Sequence, residues 1–318
     1  MFTALVYTTA FFVLILYIVK GLIVYTDNVL RVFKTILALV LSFFLVSSLY
    51  ASDVVLQGEF HRPGTISITN TTTVSQAMHN AGQITDDAFT IGAVLLRKNI
   101  VTQDHEFLEL SKEKLSNALS MIREGIQDRN NESGKWVVEA SIIRQLLFQV
   151  EQPYLLGRKS LVSDISDAEL QPSNDFDLQA GDTLIVPSRP NQVWVLGQLN
   201  HSGAVQFNPA FKVEDYVVKA GGMTAYASES KAYMVLPNGD KQVLTHSWWN
   251  YQPFNILPGS IIYIPDERLN SYSLLQELGV DQIQAKLIQL KSNEINLPEA
   301  QVEALKRSVS SVKDQQGR

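Results

Sequence analysis

The sequence predicts an α+β chain: two copies of one small unit, each a mixed sheet crossed by a helix, with helical segments before, within and after them. Three observations carry this. Residues 54–66, VVLQGEFHRPGTI, align without a gap on 193–205, VWVLGQLNHSGAV, so that Gly58 falls on Gly197 and Gly64 on Gly203, both 139 positions apart. The register persists downstream, where Val74 falls on Val213 and Ala81-Gly82 on Ala220-Gly221. A closing block, FDLQAGDTLIVPSR at 176–189, aligns on FNILPGSIIYIPDE at 254–267, with Gly181 on Gly259 and Pro187 on Pro265, now 78 positions apart. The first copy therefore holds about 61 residues that the second lacks. Self-similarity at a fixed offset marks repeated structural units, and a duplicated small unit points to binding or scaffolding rather than catalysis.

The N-terminus is a targeting segment. Residues 3–19 are an uncharged apolar run, near the lower length for a membrane span. A second run, ILALVLSFFLVSS at 36–48, follows Arg31 and Lys34 and ends in small Ala51 before polar Ser52-Asp53. A basic start, a short apolar core and a small residue at the end match a secretory leader. Two readings stand. In one, translation begins at Val29 or Leu30 and residues 30–51 are a cleaved signal peptide. In the other, 1–48 is a retained anchor or helical hairpin at the inner membrane. Both place the rest of the chain outside the cytoplasm, in the periplasm or beside the inner membrane. N-terminal sequencing of the mature protein separates them.

Composition narrows the classes. There is no cysteine, which excludes disulfides, thiolate zinc sites, a thiol nucleophile and a lipidation cysteine. The formal net charge is −6. Beyond residue 51 the count is 23 basic against 31 acidic residues, or −8. That argues against a nucleic-acid partner, because phosphate binding needs concentrated Lys and Arg.

Each element of the repeated unit has a local cause. Val54–Phe60 is rich in β-branched and apolar residues and reads as a strand. His61-Arg62-Pro63-Gly64 is a turn, with Pro presetting φ and Gly free to take positive φ. Thr65–Ile68 alternates and returns as the second strand. Thr73 stands at an N-cap before a helix that places Val74, Ala77, Met78 and Ala81 on one face, and Gly82 ends it. Ala93–Leu96 is a third strand. The second copy repeats each step, adds a tight turn at Pro237-Asn238-Gly239-Asp240, and closes on strand Ile261–Pro265. Hairpin, helix, strands and a closing strand after a Gly-Asp or Gly-Ser turn make a β-grasp unit.

This pattern resembles an SLBB domain, a soluble-ligand-binding β-grasp. A glycine spaced six residues from the next across a turn precedes a short helix ending in AGQ or AGG, and then the block LQAGDTLIVP at 178–187. Two such domains in tandem, the first carrying a long insertion, resemble the GfcC-like capsule-biosynthesis family. The resemblance covers 53–267 and implies two β-grasp domains at 53–190 and 191–267. It also implies a helical insertion in the first, at about 108–152, ahead of the tail 268–318. It implies a role in polysaccharide assembly or export.

Within the insertion, 110–126 is helical by period, with Leu115, Leu119 and Ile122 on one face and Ser111 able to cap. Polar DRNNESG at 128–134 turns the chain, and 135–150 returns as a second helix, making a hairpin. Arg144 falls on the stripe of Val137, Ala140 and Leu147. It reads either as a basic group in a pocket for an anionic sugar or carboxylate, or as a snorkelling or acid-paired side chain. The tail shows apolar stripes at Ile283, Leu287 and Leu290 and, after Pro298, at Val302, Leu305, Val309 and Val312. In related Wza-type export proteins a C-terminal amphipathic helix lines an outer-membrane pore. This tail has Tyr272 as its only aromatic, so a docked or mobile helix is expected instead.

No catalytic constellation emerges. His61, His79, His105, His201 and His246 show no metal-ligand spacing, and there is no GxSxG, Walker A or GxGxxG. No cofactor and no metal are expected. Ser247-Trp248-Trp249-Asn250-Tyr251, with Phe254 nearby, is an aromatic cluster. Trp248 and Trp249 read either as sugar-stacking faces or as core. With Arg144 they are the candidate ligand-binding residues. The expected role is a non-catalytic periplasmic accessory protein, a monomer, whose partners are a polysaccharide or the proteins of an export machine. A subunit of an outer-membrane export channel and a polysaccharide-modifying enzyme are the alternatives.

Overall fold

A computed structural model describes residues 52–69, 71–126, 133–161, 175, 177–244 and 254–316. The apolar N-terminus 1–51, with both readings of it, lies outside the described residues, as do Trp248 and Trp249. Within Ser52–Arg318, which forms one compact unit, two five-stranded mixed sheets share one strand order.

The first sheet contains β1 (Ser52–Gly58), β2 (Gly64–Ile68), β3 (Val94–Leu96), β4 (Arg158–Ser160) and β5 (Thr183–Val186), ordered β2-β1-β5-β3-β4. The second contains β6 (Gln192–Gly197), β7 (Gly203–Gln206), β8 (Tyr233–Val235), β9 (Lys241–Val243) and β10 (Ile261–Ile264), ordered β7-β6-β10-β8-β9. In each, an edge hairpin leads into a parallel pair with the closing strand. Gly58 meets Val186 in the first sheet and Gly197 meets Ile264 in the second. The equivalence extends to single hydrogen bonds. The amide of Glu59 donates to Val186 and that of Gln198 to Ile264, while Phe89 donates to Pro187 and Ser228 to Pro265.

One face of each sheet is covered by its own helix. Helix α1 (Val74–Asn80) sets Val74, Ala77 and Met78 against Val54, Leu56, Leu95 and Val186. Thr73 caps α1 in a reciprocal capping box with Gln76. Thr73→Ala is expected to lower stability by about 1 kcal/mol, read from the urea midpoint, whereas Ser75→Ala, one position inside the helix, should change it far less. In the second copy, Val213, Tyr216 and Val217 of α4 (Val213–Lys219) pack on Val193, Val195, Met234 and Ile262. Phe254, at the end of the aromatic cluster, packs against this core.

Strands β3, β8 and β10 are buried along their whole length. They need a cover on both faces, as their unbroken apolar runs imply. The C-terminal tail supplies it. It folds as α5 (Ser273–Leu278), α6 (Val280–Ile295) and α7 (Glu299–Gln316), with Gly279 turning left-handed between the first two. Ile288 and Ile295 of α6 lie on Tyr233, Val235, Ile261 and Tyr263 of the second sheet. Leu305 of α7 lies with Val94, Leu96 and Ile185 of the first. The tail is thus docked, and among the described residues no helix is long and apolar enough to cross a membrane.

The segment between β3 and β4 forms a helical hairpin, α2 (Lys98–Ile126) and α3 (Ser133–Val150). Helix α2 starts twelve residues before the expected 110, and Ser111 is not a cap. Its hydroxyl lies inside the helix and donates back to the Phe107 carbonyl at 2.7 Å. The inward seam of α2 runs Asp104, Ser111, Leu115, Ala118, Ile122, and its first two positions are polar, so the apolar period fades there. Asp104 is satisfied by Lys286 of α6 at 2.7 Å and by the amide of Gly157 at 2.9 Å. The hairpin's apolar face packs Leu115, Ile143 and Leu146 against Leu275, Val280, Ile283 and Leu287 of the tail.

Candidate functional site

Four separate stretches of sequence meet behind the second sheet. There α3, the ends of β6 and β10, and α6 enclose a cavity of about 280 Å³. Its apolar lining includes Leu146, Leu196, Tyr263 and Ile288, and its polar lining includes Gln145, Gln149, Gln198, Gln284 and Asp266. Gln145 and Gln149 stand one turn apart on α3, the spacing that puts two side chains on one face.

The sheet end of the cavity is built by a chain of hydrogen bonds. Gln198 follows Gly197 directly, and its amide donates to Ile264, which brings it beside Asp266. The Thr224 hydroxyl donates to Gln198 Oε1 at 2.9 Å, and Gln198 Nε2 donates to Asp266 Oδ2 at 2.9 Å. Asp266 caps the 3-10 turn Glu267–Asn270 by accepting from the Arg268 amide, and it pairs with the Arg268 guanidinium at 2.6 Å. This hydrogen bond raises the pKa of Arg268 above its ordinary value. The guanidinium also lies 4.1 Å from the centre of the Tyr226 ring. Both carboxylate oxygens of Asp266 are therefore engaged, and its charge is neutralised within the wall.

The first copy keeps the frame with different chemistry. Glu59 stands where Gln198 stands and accepts from Thr85 at 2.6 Å, while Ser188 replaces Asp266. Behind the cavity, Tyr233 and Tyr263 pack with ring centres 5.2 Å apart. Burial pushes both phenols well above the usual tyrosine pKa, and in Tyr263 the neighbouring Tyr233 and Asp266 add to the shift. Both stay neutral at physiological pH.

A smaller cavity of about 90 Å³ lies beside Asp104, Arg158, Asn238, Asp240 and Lys286. Arg158 of β4 donates to the Pro237 carbonyl and reaches Ser292 of α6. Burial lowers its pKa to about 10, with nearby Asp240 opposing the shift, so it remains charged at neutral pH. Its place is that of a clamp between the two copies and the tail.

Of the sequence-derived candidates, Arg144 falls elsewhere, and Trp248 and Trp249 lie outside the described residues. Arg144 is exposed on α3, and the cavity is lined instead by its neighbours Ile142, Gln145 and Leu146. Val137, which shared its stripe, is 59% exposed. Of that stripe Ala140 is buried, and the buried face of α3 continues through the adjacent row of Ile143, Leu146 and Val150. The four glutamines carried no signal of their own in the sequence, because glutamine is an ordinary surface residue. Only Gln198 could have been singled out, as a repeat position where the other copy has Glu59.

Comparison with known proteins bears on the same segment. Residues 201–295 match the family model of the capsule biosynthesis GfcC C-terminal domain, a range that contains Tyr263, Asp266, Gln284 and Ile288. Over 126 residues the chain is 28% identical to YjbG of Escherichia coli strain K12, an alignment covering 40% of this chain and 51% of that protein. Over 145 residues it is 24% identical to the polysialic acid transport protein KpsD of Escherichia coli, covering 46% of this chain and 24% of KpsD. The chain thus spans about half the length of the first relative and a quarter of the second. The capsule-biosynthesis resemblance read from the repeated motif agrees with these matches.

Proposed function

We propose that this protein is a non-catalytic accessory of capsule, O-antigen or exopolysaccharide assembly or export. It acts in the periplasm and binds glycan or a protein of the export machine. Its two sheets, within 53–190 and 191–267, are read as tandem β-grasp units of the SLBB kind. The observation that carries the proposal is the amide-lined cavity, part of whose wall, from Tyr263 to Ile288 and including Gln284, belongs to the segment matching the capsule-biosynthesis family. Amides offer donor and acceptor together, as sugar hydroxyls require, and Asp266, the one acid among the described residues of the wall, is tied up by Arg268.

Deleting the gene should reduce surface polysaccharide, measured by blot and by hexose content of washed cells, and a plasmid copy should restore it. The polymer that remains should have unaltered linkages and sugars. Unchanged surface polymer in the deletion strain removes the proposal, and changed linkages transfer it to the modifying-enzyme alternative.

The similarity to a polysialic acid transport protein favours a second reading, a subunit of the export channel itself. The docked tail weighs against that, since α6 and α7 are spent on covering the two sheets. Oligomeric mass by light scattering separates the readings: a monomer is expected of the accessory and a large ring of the channel.

A further inference from the structure

We infer that the cavity behind the second sheet binds a single uncharged, hydroxyl-rich sugar unit of a polysaccharide, held by glutamine amides over a partly apolar lining. This rests on the functional proposal above and names the ligand chemistry of that site. The first argument is hydrogen-bonding capacity. The side chains of Gln145, Gln149 and Gln284 line the cavity and make no hydrogen bond to any described residue. Each brings two N–H donors and a carbonyl acceptor to the same space, and Gln198, fixed by Thr224 and Asp266, supplies a fourth, oriented amide. A sugar hydroxyl both donates and accepts, so an amide satisfies it in either sense. An apolar ligand would bury these groups without partners, which is costly.

The second argument is charge. Among the described residues Asp266 is the one formally charged group in the lining, and Arg268 and Gln198 already occupy its oxygens. Among the described residues no free cation lines the cavity to offset the lost hydration of a sugar carboxylate. Arg144, the basic group first considered for an anionic sugar, stands outside it. The third argument is size and shape. The volume lies just under the range of about 300–1,000 Å³ usual for drug-sized ligands, so a ring and its substituents fit where a longer segment does not. Leu146, Leu196 and Ile288 give the apolar contact that the C–H face of a pyranose needs.

The full-length protein is tested by saturation-transfer NMR and calorimetry. The probes are disaccharides of glucose, galactose, mannose and N-acetylglucosamine, with oligomers of glucuronic acid and of sialic acid as charged counterparts. Binding of at least one neutral probe, at least tenfold tighter than either charged oligomer, is expected. The double variant Gln149→Ala/Gln284→Ala should weaken that binding at least tenfold with the thermal midpoint unchanged, since both side chains are partly exposed and make no hydrogen bond to any described residue. Binding of charged oligomers alone, no binding of any probe, or neutral binding that survives the double variant each overturns the inference. In cells the two proposals separate. If deletion lowers surface polymer but the double variant restores it fully, the export role stands and the assigned site falls. If deletion changes nothing, the export role itself falls.

Discussion

Gly197→Ala is expected to cost about 3 kcal/mol or more of folding stability, a loss in the range reserved for severe core lesions. A Cβ at this position would lie 2.0 Å from the Ile264 carbonyl oxygen and 2.8 Å from its carbon. The backbone there holds φ +104, a conformation that side chains disfavour. The obstacle cannot step aside, because β10 is the central strand, bonded to β6 on one side and β8 on the other, and Ile264 is fully buried. Gly58→Ala repeats the experiment in the first copy, where the Cβ would meet the Val186 oxygen at 2.0 Å with φ +86. Gly203→Ala is the control: no described residue lies within 4 Å of its Cβ, and its effect should stay within about 1 kcal/mol. Urea denaturation followed by tryptophan fluorescence measures all three. A Gly197→Ala loss no larger than that of Gly203→Ala would mean the parallel strands do not meet as described.

Asp182→Ala should be nearly as damaging, at about 3–5 kcal/mol, because it strips a buried guanidinium of its carboxylate. Arg97 and Asp182 pair at 2.6 Å with side chains 8% and 1% exposed, and Asp182 also accepts from the amide of Gln179. The duplication provides the repair. At the equivalent positions the second copy has Leu236 and Ser260, a pair that places no ions in its sheet. Replacing a buried ion pair by apolar or neutral groups of fitting shape is often neutral or stabilising. The double variant Arg97→Leu/Asp182→Ser is therefore expected within about 1.5 kcal/mol of the parent, giving a large positive coupling between the two sites. Chemical denaturation of the parent, both single variants and the double variant completes the cycle. If the double variant loses as much as the two singles together, the pair does more than fill space in the first sheet.

The repeated units were legible because their causes are local. Period-two apolar runs, turns built on Pro and Gly, and the Thr73 cap each act over a few residues, and the gapless offset of 139 doubled every signal. Legibility failed where burial was polar. The start of α2 went unseen because Asp104 and Ser111 occupy seam positions that an apolar period would mark. The two readings of Arg144 stayed open in the sequence for the opposite reason. Two neighbouring rows of α3 are both apolar in sequence, and only packing against the tail decides that Ile143 and Leu146 turn inward while Val137 and Arg144 stay out.

Sequence by itself determined that this protein repeats one sheet-and-helix unit, interrupts the first with a helical hairpin, and ends in amphipathic helices. Tertiary structure alone decided that those last helices cover the outer faces of both sheets, and that α3, the second sheet and α6 close around an amide-lined cavity. The physical reason is range. Backbone propensity and hydrophobic period act between neighbours along the chain, whereas a cavity wall drawn from Gln149, Gln198 and Gln284 exists only after burial of distant apolar faces has brought three unrelated segments together.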